Sequence, residues 1–292
     1  ITIRTPVGGS VFVGNGGITG SDNASVLIDG SGATTILASN ITTDGDDITI
    51  SDSVLVAANV VLSTGVAAPG DVTIEGTVNQ IGTSPVGTFG LTAQAGAGGV
   101  DLQGVTGANR ALGALTATGT NISVASIGGG TDGVTGATAL TATNALSLNG
   151  DVYRSGSLAL EGAAITVQSP LTTVVSSSGA VGFTGPVTLA DDADLDVNAS
   201  TNATFSSTID GTAGAATETL NVVAGGLADF NGAIGSGVPL HAVGVNANTV
   251  EIGAVTTTTS QTISGPAGVL LGGNLTSTGN DEIELTGPVT LG

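Results

Sequence analysis

Residues 184–189 read TGPVTL, and residues 286–291 read TGPVTL again. Looser copies of one frame run through the chain: apolar, any, apolar, polar, then usually Gly. It is legible in VLIDGSG from Val26, ITISDSV from Ile48, VTIEGTV from Val72, VDLQGVT from Val100 and ISVASIG from Ile122. It continues in LSLNGDV from Leu146, LALEGAA from Leu158, VGFTGPV from Val181, ATFSSTI from Ala203 and ADFNGAI from Ala228. VEIGAVT from Val250, TISGPAG from Thr262 (offset by one) and IELTGPV from Ile283 complete the set.

The second apolar residue of each copy marks a register: Ile28, Ile50, Ile74, Leu102, Val124, Leu148, Leu160, Phe183, Phe205, Phe230, Ile252, Ile263 and Leu285. Successive gaps are 22, 24, 28, 22, 24, 12, 23, 22, 25, 22, 11 and 22. A fixed period of this size is the mark of a repeat architecture. Within each copy, alternating side chains and abundant Val, Ile and Thr specify strands. No stretch carries a 3.6-residue apolar stripe, and Gly at this density would cost a helix about 1 kcal/mol per residue relative to Ala.

The spacing predicts an all-β chain, a right-handed parallel β-solenoid of 22–25 residues per coil and roughly twelve coils. The two half-length gaps are read as extra strand pairs or shortened corners. Residues 1–292 form one continuous array in this reading, with looser Gly-rich coils and longer loops over 84–138. An antiparallel sandwich competes, because turn signals every 8–12 residues also suit it. Near-constant recurrence of one motif favours the solenoid.

Gly stands two residues after the register position at Gly30, Gly76, Gly104, Gly150, Gly162, Gly185, Gly232, Gly265 and Gly287. These are expected to be corner glycines, allowing the positive φ that turns the chain onto its next side. Phe183, Phe205 and Phe230 share the register position in successive copies. The alternation points them inward, as an aromatic ladder and not as an external sugar platform.

The 292 residues include 49 Gly, no Cys, Met or Trp, and only three basic residues, Arg4, Arg110 and Arg154, for a net charge of −20. Such a chain cannot neutralise phosphates, which argues against nucleic-acid binding, and it is repelled by anionic membrane surfaces. Without Cys there are no disulfides or thiolate sites. No apolar run approaches the length of a membrane-spanning helix, so no membrane insertion is expected. Dense Val, Ile and Leu patterning excludes disorder.

Few residues could carry chemistry. Asp191, Asp192, Asp194 and Asp196 follow the first TGPVTL, and Asp44, Asp46 and Asp47 form a second acidic run. Clustered carboxylates are hard oxygen ligands suited to Ca²⁺; solvated turn residues explain them equally well. The first run is the better calcium candidate, and no other cofactor is expected. Gly128, Gly130 and Gly133 spell GxGxxG, but a dinucleotide fingerprint needs a following helix that the sequence does not offer. His241 is the single histidine, placed near a corner beside Pro239, with no nucleophile elbow in the chain. Tyr153–Arg154 is the only adjacent aromatic–basic pair and is expected at the surface. The threonine runs at Thr256 to Thr259, Thr116/Thr118 and Thr141/Thr143 do not recur once per coil, as a flat threonine array would require.

With GDVTIEGTV (70–78), TGPVTLADDADLDVNAS (184–200) and LTSTGNDEIELTGPVTLG (275–292) in view, the chain resembles the β-solenoid shafts of large bacterial surface exoproteins. Those are the filamentous-haemagglutinin-like adhesins and autotransporter passengers. The resemblance implies a secreted, cell-surface structural segment without catalysis. Other domains of the full protein would bind a host-cell, glycan or neighbouring-cell ligand. No polar cap is visible at either end, so the chain is expected to continue into further coils or to associate end to end. The alternative is a polysaccharide lyase or hydrolase on a β-helix, which would need paired carboxylates or a cation at a cleft.

Overall fold

The computed structural model describes residues 1–292 except 7, 31, 66–68, 83–85, 130–132, 213–215 and 280. It is an all-β, parallel β-solenoid of about twelve turns with roughly 23 residues per coil and no helix. The chain divides into two compact units: Ile1–Ser147 with Arg154–Gly156, and Leu148–Tyr153 with Ser157–Gly292.

In the first unit each coil has three faces. Face A stacks Thr2–Arg4, Val26–Asp29, Ile48–Ile50, Val72–Ile74, Val100–Leu102 and residues 122–124. Face B stacks Val11–Val13, Thr34–Leu37, Ser53–Val56 and Val78–Gln80. Face C stacks Ile18–Thr19, Ile41–Thr42, Val60–Ser63, Leu91–Gln94 and residues 115–118. The single strand Leu115–Val124 therefore serves two faces, C with its first half and A with its second.

The sequence register is realised directly on face A, where Ile28, Ile50, Ile74, Leu102 and Val124 are Cα partners in turn. All five side chains are buried. Removing each from water contributes about 1.5–3 kcal/mol. Faces B and C bury further apolar side chains in the same way, among them Leu37, Val54 and Val56 on face B and Ile41, Leu62 and Leu91 on face C. The step from Val72 to Val100 is 28 residues, and the added length lies after Val78–Gln80, where the alternation breaks and all three residues are buried.

The second unit also has three faces. Face P stacks residues 158–161, Val181–Thr184, Ala203–Phe205, residues 227–230 and 249–252, Gly268–Leu271 and Val289–Leu291. Face Q stacks Ala164–Val167, Val187–Leu189 and Ile209–Asp210, then Ile234, Val255–Thr257 and Leu275–Ser277. Face R stacks Leu171–Ser176, Asp194–Ala199, residues 219–224 and 242–247, Gln261–Ser264 and Ile283–Thr286.

These faces explain the half-length gaps. Ile252 stacks on Phe230 and Leu271, all on face P, whereas Ile263 stacks on Val245 and Leu285, all on face R. The gap of 11 between Ile252 and Ile263 is thus a change of face, with the face-Q strand Val255–Thr257 between them. The gap of 12 after Leu148 is another: the Leu148 carbonyl accepts the N–H of Gln168 beside face Q, while Leu160 pairs with Phe183 on face P. Neither gap is an extra strand pair or a shortened corner.

Candidate functional site

The nine motif glycines sit where strands meet, but for two physical reasons. Gly185 and Gly287 take φ of 119°, the left-handed region that favours glycine. The others avoid positive φ, and at Gly76, Gly104 and Gly232 the cause is close stacking. A Cβ on Gly104 would fall within 3.0 Å of Gly76 backbone, and one on Gly76 within 3.0 Å of Asp52 backbone. Glycine is needed there because successive corners lie directly on one another.

Phe183, Phe205 and Phe230 form a buried stack inside face P, with ring centroids 4.8 and 5.0 Å apart and interplanar angles of 6° and 3°. The spacing is that of the coils themselves. Identical side chains at one register position have no other place to go.

The acidic run after the first TGPVTL is distributed along a strand and its approach. Asp191 and Asp192 are exposed before face R, with Asp192 at φ 63°, and Asp194 and Asp196 alternate outward on the strand. Asp194 Oδ1 accepts both the N–H and the hydroxyl of Thr219 in the next coil, at 3.1 and 2.5 Å. Among the described residues, no three His, Asp or Glu side chains gather where they could hold a metal ion.

That bond to Thr219 is one case of a general device. Asp47 Oδ1 accepts the Asp71 N–H at 2.9 Å, and Asp71 Oδ1 accepts the Gly99 N–H at 2.6 Å, a relay over three coils. Asn40 holds Val61, Asn59 holds Gly90, Asn202 holds Leu227 and Asp210 holds Gly237 in the same way, at 2.7–2.9 Å. Each side-chain oxygen accepts a backbone N–H of a neighbouring coil, at a corner as at Asp71 and Gly99 or within a strand as at Val61 and Leu227.

Tyr153 is a correction to the sequence reading. It is fully buried, not at the surface, and its hydroxyl accepts the Gly150 N–H at 3.0 Å. Burial pushes its phenol well above the usual tyrosine range; hydrogen bonding with the Gly150 and Asn149 backbone opposes this, and the Asp151 charge adds to it. His241 is exposed, its N–H donating to the Glu218 carbonyl at 2.7 Å. Gly128 takes φ 88° and Gly133 runs into the strand Val134–Leu148, so a strand and not a helix follows GxGxxG; Gly130 lies outside the described residues.

Sequence reading overlooked the buried polar side chains. Gln80 Oε1 accepts the N–H groups of Thr88 and Phe89 at 2.6 and 3.0 Å, and Asn79 Oδ1 accepts those of Asn109 and Arg110 at 3.0 and 3.1 Å. These two amides organise the loops over face B. The dipeptide Asn79–Gln80 ending an apolar strand was the available signal.

Asp52 occupies the corner position that Gly30 and Gly76 fill in neighbouring coils. Its Oδ2 accepts the Gly30 N–H at 2.7 Å and the Thr35 hydroxyl at 3.3 Å. Glu218, also buried, accepts the N–H and hydroxyl of Thr212.

On the outer side of face A the first unit carries a groove of about 510 Å³. Its lining includes Asp71, Thr73, Gly99, Asp101, Asn121 and Ser147. Thr73, Asp101 and Ser123 are Cα partners across adjacent coils, so the groove runs across the strands. No protein-family model matches the chain, and comparison with curated proteins and with solved structures finds no match.

Proposed function

We propose that this chain is a structural, non-catalytic segment of an extracellular shaft or fibre on a bacterial cell surface. The observation that carries the reading is where the polar side chains are engaged. Asp47, Asp71, Asp194, Asp210, Asn40, Asn59 and Asn202 tie one coil to the backbone of another. Beneath them the interior is laddered with like side chains. Both arrangements resist separation of coils along the stacking direction, which is the load a shaft bears.

The solenoid architecture and the resemblance to exoprotein shafts support secretion and a surface location. End-to-end association with a second copy, or continuation into further coils, belongs to the same proposal, because a solenoid coil stacks its strands on those of the next. Receptors on host cells or neighbouring cells are assigned to other domains.

Cryo-electron microscopy of the native material tests this. Fibres or slender shafts with an axial repeat near about 4.8 Å are expected, and a polar cap fused to one coil end should stop any lengthwise growth. Growth indifferent to the cap, or turnover of a polysaccharide by the purified chain, overturns the reading.

A further inference from the structure

We infer that the groove on face A of the first unit binds an uncharged glycan, laid across the coils. The inference goes beyond the shaft reading and does not depend on it. Two outward rows build the groove. One is Thr73, Asp101 and Ser123, fixed by the strand register. The other is Asp71, Gly99 and Asn121, one step before Val72, Val100 and Ile122 in the same register. Gly99, without a side chain between Asp71 and Asn121, makes the hollow, and Ala145 extends it toward Ser147.

The polar groups are held in place before any ligand arrives. Asp71 Oδ1 is engaged by the Gly99 N–H at 2.6 Å, Asp101 Oδ2 by the Gln103 side-chain amide at 2.7 Å, and Asn121 Oδ1 by the Asn144 amide at 2.9 Å. Each anchored group keeps a second polar atom: a carboxylate oxygen on Asp71 and on Asp101, and the amide nitrogen of Asn121. The hydroxyls of Thr73 and Ser147 lie among them.

This mixture selects the ligand. Two carboxylates with no cation in the lining repel phosphates, sulfates and uronates. The amide and hydroxyl donors would be left without partners by a simple cation. A sugar hydroxyl both donates and accepts, so a polyhydroxylated chain satisfies both kinds of group. Coil spacing of about 4.8 Å is close to the length of one pyranose unit, so successive sugars meet successive coils. The lining has no aromatic ring, which sets the expected affinity in the millimolar range, with avidity gained on long chains.

The test is amide NMR of the ¹⁵N-labelled full chain titrated with cellohexaose, xylohexaose and chitohexaose, with an oligogalacturonate and spermine as charged controls. Saturable shifts at Gly99, Asp101, Asn121 and Ser123 with at least one neutral oligosaccharide are expected, and none with the oligogalacturonate. Asp101→Asn keeps the shape but exchanges an acceptor for a donor, and should weaken binding about tenfold. Gly99→Thr should abolish it by filling the hollow, where a Cβ would already meet Asn121 O at 3.1 Å. No shift with any neutral oligosaccharide overturns the inference. So do shifts produced equally by spermine, or binding unaffected by Asp101→Asn in a variant with native circular dichroism.

Discussion

Gly185 and Gly287 share a φ of 119°, and each lies over a glycine of another coil, Gly162 and Gly265. Gly162 N–H donates to Thr184 O at 3.0 Å and Gly265 N–H to Thr286 O at 2.9 Å, so the two corners are built alike. They are different corners nonetheless. The first TGPVTL carries the chain from face P to face Q, and the second from face R to face P.

A Cβ at either glycine would sit well within 3.0 Å of the glycine carbonyl beneath, in a left-handed backbone. Gly185→Ala should therefore destabilise the chain by more than the roughly 1 kcal/mol of a conformational penalty alone. Gly182→Ala is the control: its Cβ would meet nothing nearer than Leu158 O at 4.0 Å. Urea unfolding followed by circular dichroism should show a large loss of stability for the first variant and little or none for the second.

The Phe183–Phe205–Phe230 stack makes Phe205 the ring with an aromatic neighbour on both sides. Phe205→Ala should cost about 3–5 kcal/mol. Phe205→Leu, which keeps most of the volume, should cost less than about 1.5 kcal/mol. Equal losses for the two variants would show that volume does not govern this part of the interior.

Tyr153 is the single tyrosine of a chain without tryptophan, so its ionisation can be read by ultraviolet absorbance. Its phenol is raised by burial. The unfolded chain would ionise at the ordinary value of about 10 while the folded chain stays neutral. The stabilisation is complete below that value and is lost as pH rises above it. Tyrosinate absorbance should appear together with the loss of β-sheet circular dichroism; a separate earlier transition near pH 10 would contradict the burial.

Asp229 and Glu251 are Cα partners on adjacent coils of face P, and their side chains alternate outward. Like charges directly opposite one another are destabilising, by about 0.2–1 kcal/mol for such cross-strand pairs. Glu251→Gln should raise the melting temperature at low ionic strength. The gain should shrink in high salt, which screens surface charges; a salt-independent change would assign the effect to something other than charge.

What the sequence determined by itself was the coil. Alternation at Ile28, Ile50, Ile74, Leu102 and Val124 specifies strands with one buried side, and their near-constant spacing brings equivalent positions into stacked register. The Phe183–Phe205–Phe230 ladder follows from the same rule. Tertiary structure decided which face each motif occupies, because one corner chemistry serves different corners of a three-faced coil, as Gly185 and Gly287 show. It also decided the burial of Tyr153, Asn79, Gln80 and Asp52. Local pattern cannot reveal that loops cover an outward side chain or that a carboxylate turns inward. The groove over Gly99 arises in the same way: Asp71 and Asp101 are 30 positions apart in the chain from end to end, and only stacking sets them around one hollow.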